Sequence, residues 1–375
     1  GDEIVLAPTN FATEQDEVFR ITAINQNSIT LNDSVKYYHY GANSVFTTNA
    51  GSLDVRGEVG MLSHTAGIIS DHDTPGTGQI YVIQDTIDGN VILNGSLTLS
   101  NARVEGCGTG DLGNASVVIK DIIGNNPPNA ITNVSFVKSG AAGVSIMRAQ
   151  NVLVHSSLFY KTTNNSIYIA DLGEFPKPRA VKITNNLIIG NINPYNSPNP
   201  PPTYGYKIYS SSILVTNLTK FTFKENNLLI ESNIVCGETG VAFLAPGMTC
   251  SSSQESGNPG SVNLTGNIAH SSNYGYVILS KLADCLMISH FSAYKVKEAL
   301  ITYNSLTSFD SETKASLIAN NIILTDTATG LTLNQGYNGN TSRILLKNSY
   351  IGGPSMKESY FIGPDTCKDF TAIRM

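Results

Sequence analysis

The chain has 375 residues, of which only 14% are charged, with a net charge of −6 and no Trp. That length exceeds a typical single compact core unless the chain is built of units that each bury a face on the next. No basic patch with interleaved aromatics is present, which argues against nucleic acid as a partner, and no apolar run reaches the ~18 residues of a membrane span.

In chain order, residues 1–62 stand apart from the rest. Val18–Ile24, a polar turn at 25–28 and Ile29–Leu31 read as a β-hairpin. Tyr37, Tyr38, His39 and Tyr40 read as a half-buried strand, with stacking on sugar rings as the alternative use. This region is expected to cap the first unit of the repeats beyond it, because a stack of strands otherwise ends on an unpaired edge. The opening Gly1-Asp2-Glu3-Ile4-Val5 reads like the interior of a protein, so the chain is taken as a piece of something longer.

From 63 to 353 a phrase recurs: alternating apolar residues, Asn or Asn-Asn, a few more apolar residues, then Gly, Ser or Asp. It occurs at Val181–Gly190, Phe221–Ile230, Leu317–Leu324 and Ile344–Gly352, with weaker copies at Ile131–Phe136 and Val262–Ile268. β-branched residues dominate it, as a pleated surface prefers. Asn tolerates a left-handed backbone and can turn the chain between two strands. Asn186, Asn227, Asn267, Asn321 and Asn348 are expected to be those turns, and to bond one another's amides as a ladder. Polar or Pro-rich interruptions at 191–206 and 250–260 read as surface loops, and 354–375 loses the pattern and reads as a tail or cap. Self-similarity of this kind marks a repeat architecture. The expected fold is all-β, a right-handed parallel β-helix with an N-terminal β capping region. An antiparallel β-sandwich also has short strands and regular turns, but the recurring Asn position favours the helix.

Five cysteines are present, at 107, 236, 250, 285 and 367, with no C-x-x-C pair, so zinc-ribbon and thioredoxin-type readings have no support. In an oxidising compartment Cys236–Cys250 is the preferred bridge and Cys250–Cys285 the alternative. Buried reduced cysteines are the competing reading, since spacing does not fix connectivity. Glycosylation triplets occur at Asn32, Asn94, Asn114, Asn133, Asn164, Asn217, Asn263 and Asn340. Chance alone predicts roughly seven in a chain this rich in Asn, Ser and Thr, so only their placement can decide which are used.

Gly1–Val5 opening a strand, Arg56–Leu62, and the stretch Gly95–Val104 resemble the β-helix region that follows G8 domains in the fibrocystin family and the related cell-surface hyaluronidases. The succession Val241–Cys250, Asn267–Ser272, Leu282–Cys285 and His290–Lys295 is more similar to the fibrocystin branch. The resemblance covers most of the chain and implies fold more than function. It implies an extracellular or cell-surface location. The hyaluronidase relatives resemble one another in a His-bearing strand, but the matching stretch here, Ser116–Lys120, holds no His.

Glycosidic hydrolysis needs two carboxyls ~5 to ~9.5 Å apart. The acids of the repeats (Asp121, Glu225, Glu231, Asp284, Asp326) share no repeat position. Asp71, His72 and Asp73 form the densest ligand-like cluster and are weak candidates for a divalent ion, against the plainer reading of a charged turn. His155, His270 and His290 read as core or ladder residues rather than general bases. No catalytic residue and no cofactor is assigned. The function expected is a structural or adhesive extracellular module, with other protein modules of the same or neighbouring chains, or glycans, as partners. A homopolymer is compatible with stacking repeats. The alternatives are a carbohydrate-active enzyme and a glycan-binding module.

Overall fold

The computed structural model describes residues 1–41, 45–70, 78–87, 91–109, 114–122, 128–170, 181–192, 210–216, 228–249, 262–279, 286–303, 317–334, 344–353 and 371–374. Among them every regular element is a β-strand, so no helix is long and apolar enough to cross a membrane.

Most strands lie in three parallel ladders visited in rotation. The first ladder runs Thr98–Ser100, Asn129–Thr132, Val152–His155, Val181–Thr184, Leu228–Glu231 and Val262–Thr265. It resumes in Leu286–Ser289, Leu317–Asn320 and Ile344–Lys347. The second ladder holds register through Val104, Phe136, Phe159, Ile188, Val235, Ala269, Ala293 and Leu324. The third aligns Val117, Val144, Ile167, Ile213, Phe243, Tyr276, Leu300 and Leu331. It continues to Ile373, so the region beyond 353 adds a further rung at Thr371–Arg374.

The chain turns between the first and second ladders on one left-handed residue per rung. These are Asn101, Asn133, Ser156, Asn185, Ser232, Gly266, His290, Asn321 and Asn348, all with φ between 45° and 67°. Asn dominates because its short polar side chain lowers the penalty of that conformation. A second left-handed column (Gly106, Lys138, Lys161, Gly190, Gly237, Ser271, Lys295, Asp326) follows the second ladder. Inward side chains of all three ladders merge into one core. Phe136 and Phe159 stack in it at 4.8 Å, and Val104, Ile146, Ile188 and Leu300 are fully buried.

Two polar columns run inside that core. In the first, the side chains of Asn186, Asn233 and Asn267 bond in sequence: each Nδ2 donates to the next Oδ1, at 2.9 and 3.0 Å. Each amide also donates to a carbonyl (Val154, Ile183 and Ile230 respectively). Every buried polar atom there is thus satisfied by its neighbour, which is the condition for tolerating Asn in a core. Asn186 and Asn267, expected as left-handed turns, instead form the interior column with Asn233 between them, and the left-handed residue of those rungs is the one before each, Asn185 and Gly266. Asn227 lies outside the described residues. Asn321 and Asn348 serve as left-handed turns and do not enter the interior column, whose positions there are Ile322 and Ser349.

The N-terminal region departs from expectation. Glu3–Leu6, Glu17–Asn25, Ser28–Leu31 and Val59–Met61 form an antiparallel sheet, and the hairpin at 18–31 is formed as expected. The sheet does not plug the first rung. It lies along the outer face of the second ladder. Ser135 meets Met61 and His64, Leu158 meets Gly60 and Val5, and Tyr160 meets Asp16. Further along, Leu53 packs on Tyr294 and Ile323, and Phe46 on Tyr350. Many outward side chains of that ladder are apolar (Val137, Leu158, Tyr160, Ile189), so burying them outweighs capping one edge. Residues 37–40 form no strand: Tyr38 is 71% exposed, whereas Tyr40 packs its ring toward Lys295 and His39 turns inward, Nδ1 donating to the Ala7 carbonyl at 2.7 Å with Nε2 3.1 Å from Glu17.

Candidate functional site

The densest chemistry among the described residues lies in the seam between the N-terminal sheet and the second ladder. Parallel register sets one outward column there: Val137, Tyr160, Ile189, Cys236, His270, Tyr294. Cys236 and His270 are thus adjacent rungs. Glu58 arrives from the covering N-terminal region, held by the bond from the Ala7 N–H to its carbonyl (2.9 Å). The Cys236 Sγ, a His270 ring nitrogen and a Glu58 carboxylate oxygen lie within 4.8 Å of one another. Cys236 and His270 are fully buried, and Glu58 is partly so.

The three are held by bonds within the cluster and around it. His270 Nε2 lies 2.9 Å from Glu58 Oε2. Its Nδ1 lies 3.2 Å from Ser271 Oγ, and that hydroxyl donates to the Pro8 carbonyl at 3.0 Å. The His270 ring stacks on Tyr294 at 4.6 Å. The Cys236 thiol faces the Ile188 carbonyl at 3.4 Å. Burial first, then the negative charges of Glu58 and Asp16, push the Cys236 thiol well above its usual pKa. Activated nucleophilic thiols have the opposite setting, a depressed pKa with access to solvent. The setting of Cys236 is therefore unlike that of an activated nucleophile.

The same seam carries other bonds. Arg103 reaches Glu3 and Glu105, both at 2.9 Å. Asp16 accepts from Tyr160 Oη at 2.7 Å and pairs with Lys161 at 3.0 Å. Lys295, 1% exposed, pairs with Asp326 at 3.4 Å and sits 5.2 Å from the Phe11 ring centroid.

The second internal polar column runs through Ser139, Thr162, Asn191, Glu238 and Ser272, and so holds a carboxyl. Glu238 is fully buried; it accepts from Ser212 Oγ at 2.6 Å and from the Gly240 N–H at 2.7 Å. Burial raises its pKa to about 7, against the lowering effect of those donors and of Asn191.

The residues singled out from sequence are scattered. Asp71, His72 and Asp73 lie outside the described residues, as do Glu225 and Asp284. His155 bonds Thr184 Oγ1 at 2.8 Å, and His290 is an exposed turn residue 3.0 Å from the Asn321 amide. Asp121 pairs with Arg148, and Asp326 with Lys295, so these acids are in ion pairs. Cys236 carries a free thiol, as does Cys107, which overturns the expected Cys236–Cys250 bridge. The reason is placement: Cys236 points beneath the N-terminal sheet and not toward a surface loop. Cys250 and Cys285 lie outside the described residues. Among the glycosylation triplets Asn32 and Asn133 are exposed, and Asn94, Asn114 and Asn263 are half-buried. Asn164 is 3% exposed, which removes it as an acceptor in the folded chain, and Asn217 and Asn340 lie outside the described residues. The importance of Glu58, Cys236 and Asn233 was missed. Aligning the short second-ladder strands Ile-Val-Cys, Ile-Ala-His and Ser-Ala-Tyr would have set Cys236, His270 and Tyr294 in one column.

No protein-family model matches the chain. The chain is similar to fibrocystin-L of Mus musculus, with 22% identity over 317 residues, covering 78% of this chain and 7% of that protein. The fibrocystin likeness carried by short phrases thus extends through an alignment of most of the chain, which spans only a small part of its relative.

Proposed function

We propose that the chain winds as a right-handed parallel β-helix and works as a stiff structural or adhesive module of a large, extracellular fibrocystin-like surface protein. The observation that carries this is the unbroken parallel register of the second ladder from Ala66–Ile69 to Tyr350–Ile351, splinted along its side by the N-terminal sheet. Strand-to-parallel-strand connections within one sheet are right-handed in nearly all proteins, which supports the hand. A stack locked both inside, by paired amides, and outside, by a lateral sheet, resists bending. Two of the three residues of the seam cluster, Cys236 and His270, are fully buried, which supports a role in cohesion over one in catalysis.

The module's partners are taken to be neighbouring modules of the same or adjacent chains, with glycans as further ligands. Asn32 and Asn133 are the sequons best placed for N-glycans. Small-angle scattering and electron microscopy of the chain expressed through a secretory pathway should give an elongated particle. Reducing-end assays on hyaluronan, pectin and alginate should show no turnover. Turnover of any of them would overturn the non-enzymatic reading, and a spherical scattering envelope would overturn the rod.

A further inference from the structure

The seam cluster brings together a thiol, an imidazole and a carboxylate, one donor atom from each within 4.8 Å. That is a borderline-soft donor set of the kind zinc takes, with three protein ligands and a fourth position for water. We propose that Glu58, Cys236 and His270 bind a zinc ion that fastens the N-terminal sheet to the stacked ladders.

The histidine is oriented for it. Ser271 Oγ gives its own proton to the Pro8 carbonyl and so accepts from Nδ1–H. Nε2 is then the nitrogen turned toward Glu58, 2.9 Å from a carboxylate oxygen. Holding the far ring nitrogen by a hydrogen bond is how proteins fix a metal-binding imidazole. Two acceptors at that distance require a proton between them, and the ion takes that proton's place. Binding also removes the thiol proton of Cys236. The balance is one divalent cation in and two protons out. A neutral thiol plus a carboxylate sharing one proton with imidazole carries no net charge. A zinc ion with one thiolate, one carboxylate and a neutral imidazole carries none either. A buried site that is neutral in both states avoids the cost of an uncompensated charge.

Tyr294 is the second, independent pointer. It is 1% exposed, it stacks on His270, and its hydroxyl has no hydrogen-bond partner. Buried hydroxyls are normally satisfied. The Tyr294 ring lies 4.6 Å from that of His270, and a metal-bound water would give the hydroxyl a partner. Cys236 and His270 come from adjacent rungs and Glu58 from the covering region, so the ion bridges two parts of the fold that no disulfide joins among the described residues.

The test uses the full chain, stripped with chelator and titrated with Co2+ as the spectroscopic probe, then loaded with Zn2+ for metal analysis. Expected are one metal per chain, a thiolate-to-cobalt charge-transfer band, and ligand-field bands of tetrahedral intensity. Cys236→Ser should abolish the charge-transfer band, and Glu58→Gln and His270→Gln should each weaken binding at least tenfold. Zn2+ should also slow proteolytic release of the N-terminal region in the wild type and not in Glu58→Gln. Because Glu58 is partly exposed, Glu58→Gln decides the matter if Cys236→Ser fails to fold. A wild-type chain with no thiolate band, or one whose band survives unchanged in Glu58→Gln, overturns the proposal. The rod shape and the glycan assays are independent of this result.

Discussion

The first and second ladders are built from the same rungs, yet they bury their side chains differently. First-ladder strands alternate buried and half-exposed residues, as in Val152–His155, Val262–Thr265 and Leu317–Asn320. Second-ladder strands such as Ser135–Val137, Leu158–Tyr160 and Ile323–Thr325 are buried at every position. One face of the first ladder meets water, whereas the N-terminal region covers the outer face of the second. A strand buried on both faces reads as a continuous apolar run, and a strand buried on one face alternates. Reading the two strand classes side by side therefore reveals that something covers the second, before the cover itself is known.

The largest expected effect tests what the two ladders share. Asn233 sits mid-column and bonds both Asn186 and Asn267. Asn233→Ala strands the Asn186 amide donors and the Ile183 carbonyl in the core and should cost about 3–5 kcal/mol, read as a lower denaturant midpoint. Next comes the comparison itself. Leu158, packed under the sheet, should lose about 2–4 kcal/mol on truncation to Ala, whereas Leu153→Ala, on the half-exposed face of the first ladder, should lose under about 1 kcal/mol. Equal losses would mean the sheet does not seal the second ladder in solution.

A smaller effect separates backbone strain from close contact. Gly190 and Gly237 share left-handed φ values of 65° and 66°, but a Cβ on Gly237 would lie 2.9 Å from the Thr13 carbonyl oxygen, whereas Gly190 has only ordinary side-chain contacts. Gly190→Ala should cost about 1 kcal/mol from φ alone. Gly237→Ala should cost about 2–3 kcal/mol and speed proteolytic release of the N-terminal region.

The last effect is a pH slope, confined to one segment of the stability profile. Because the folded pKa of Glu238 is raised to about 7, the folded state holds that proton more tightly than the unfolded chain. Its contribution is therefore favourable at low pH and declines as pH rises from the ordinary carboxylate range through 7. Glu238→Gln should flatten that segment of the stability profile, and an unchanged slope would place the proton elsewhere.

The strand-and-turn rhythm, the hairpin at 18–31 and the role of Asn at left-handed corners were legible in the sequence, because they depend on backbone preference and alternation within a few residues. The middle of the Asn column was not. The interval between successive first-column turns varies, so Asn233 could not be aligned with Asn186 by counting, and Asn227 stood in its place. The seam was still less accessible: Glu58 and His270 are 212 residues apart in sequence, and only the register of the rungs and the lie of the covering sheet bring them together. Local chemistry fixed what each rung would be. Which outward face was greasiest, and therefore what covered it, was decided by burial of apolar surface summed over many rungs, and that is a property of the assembled stack.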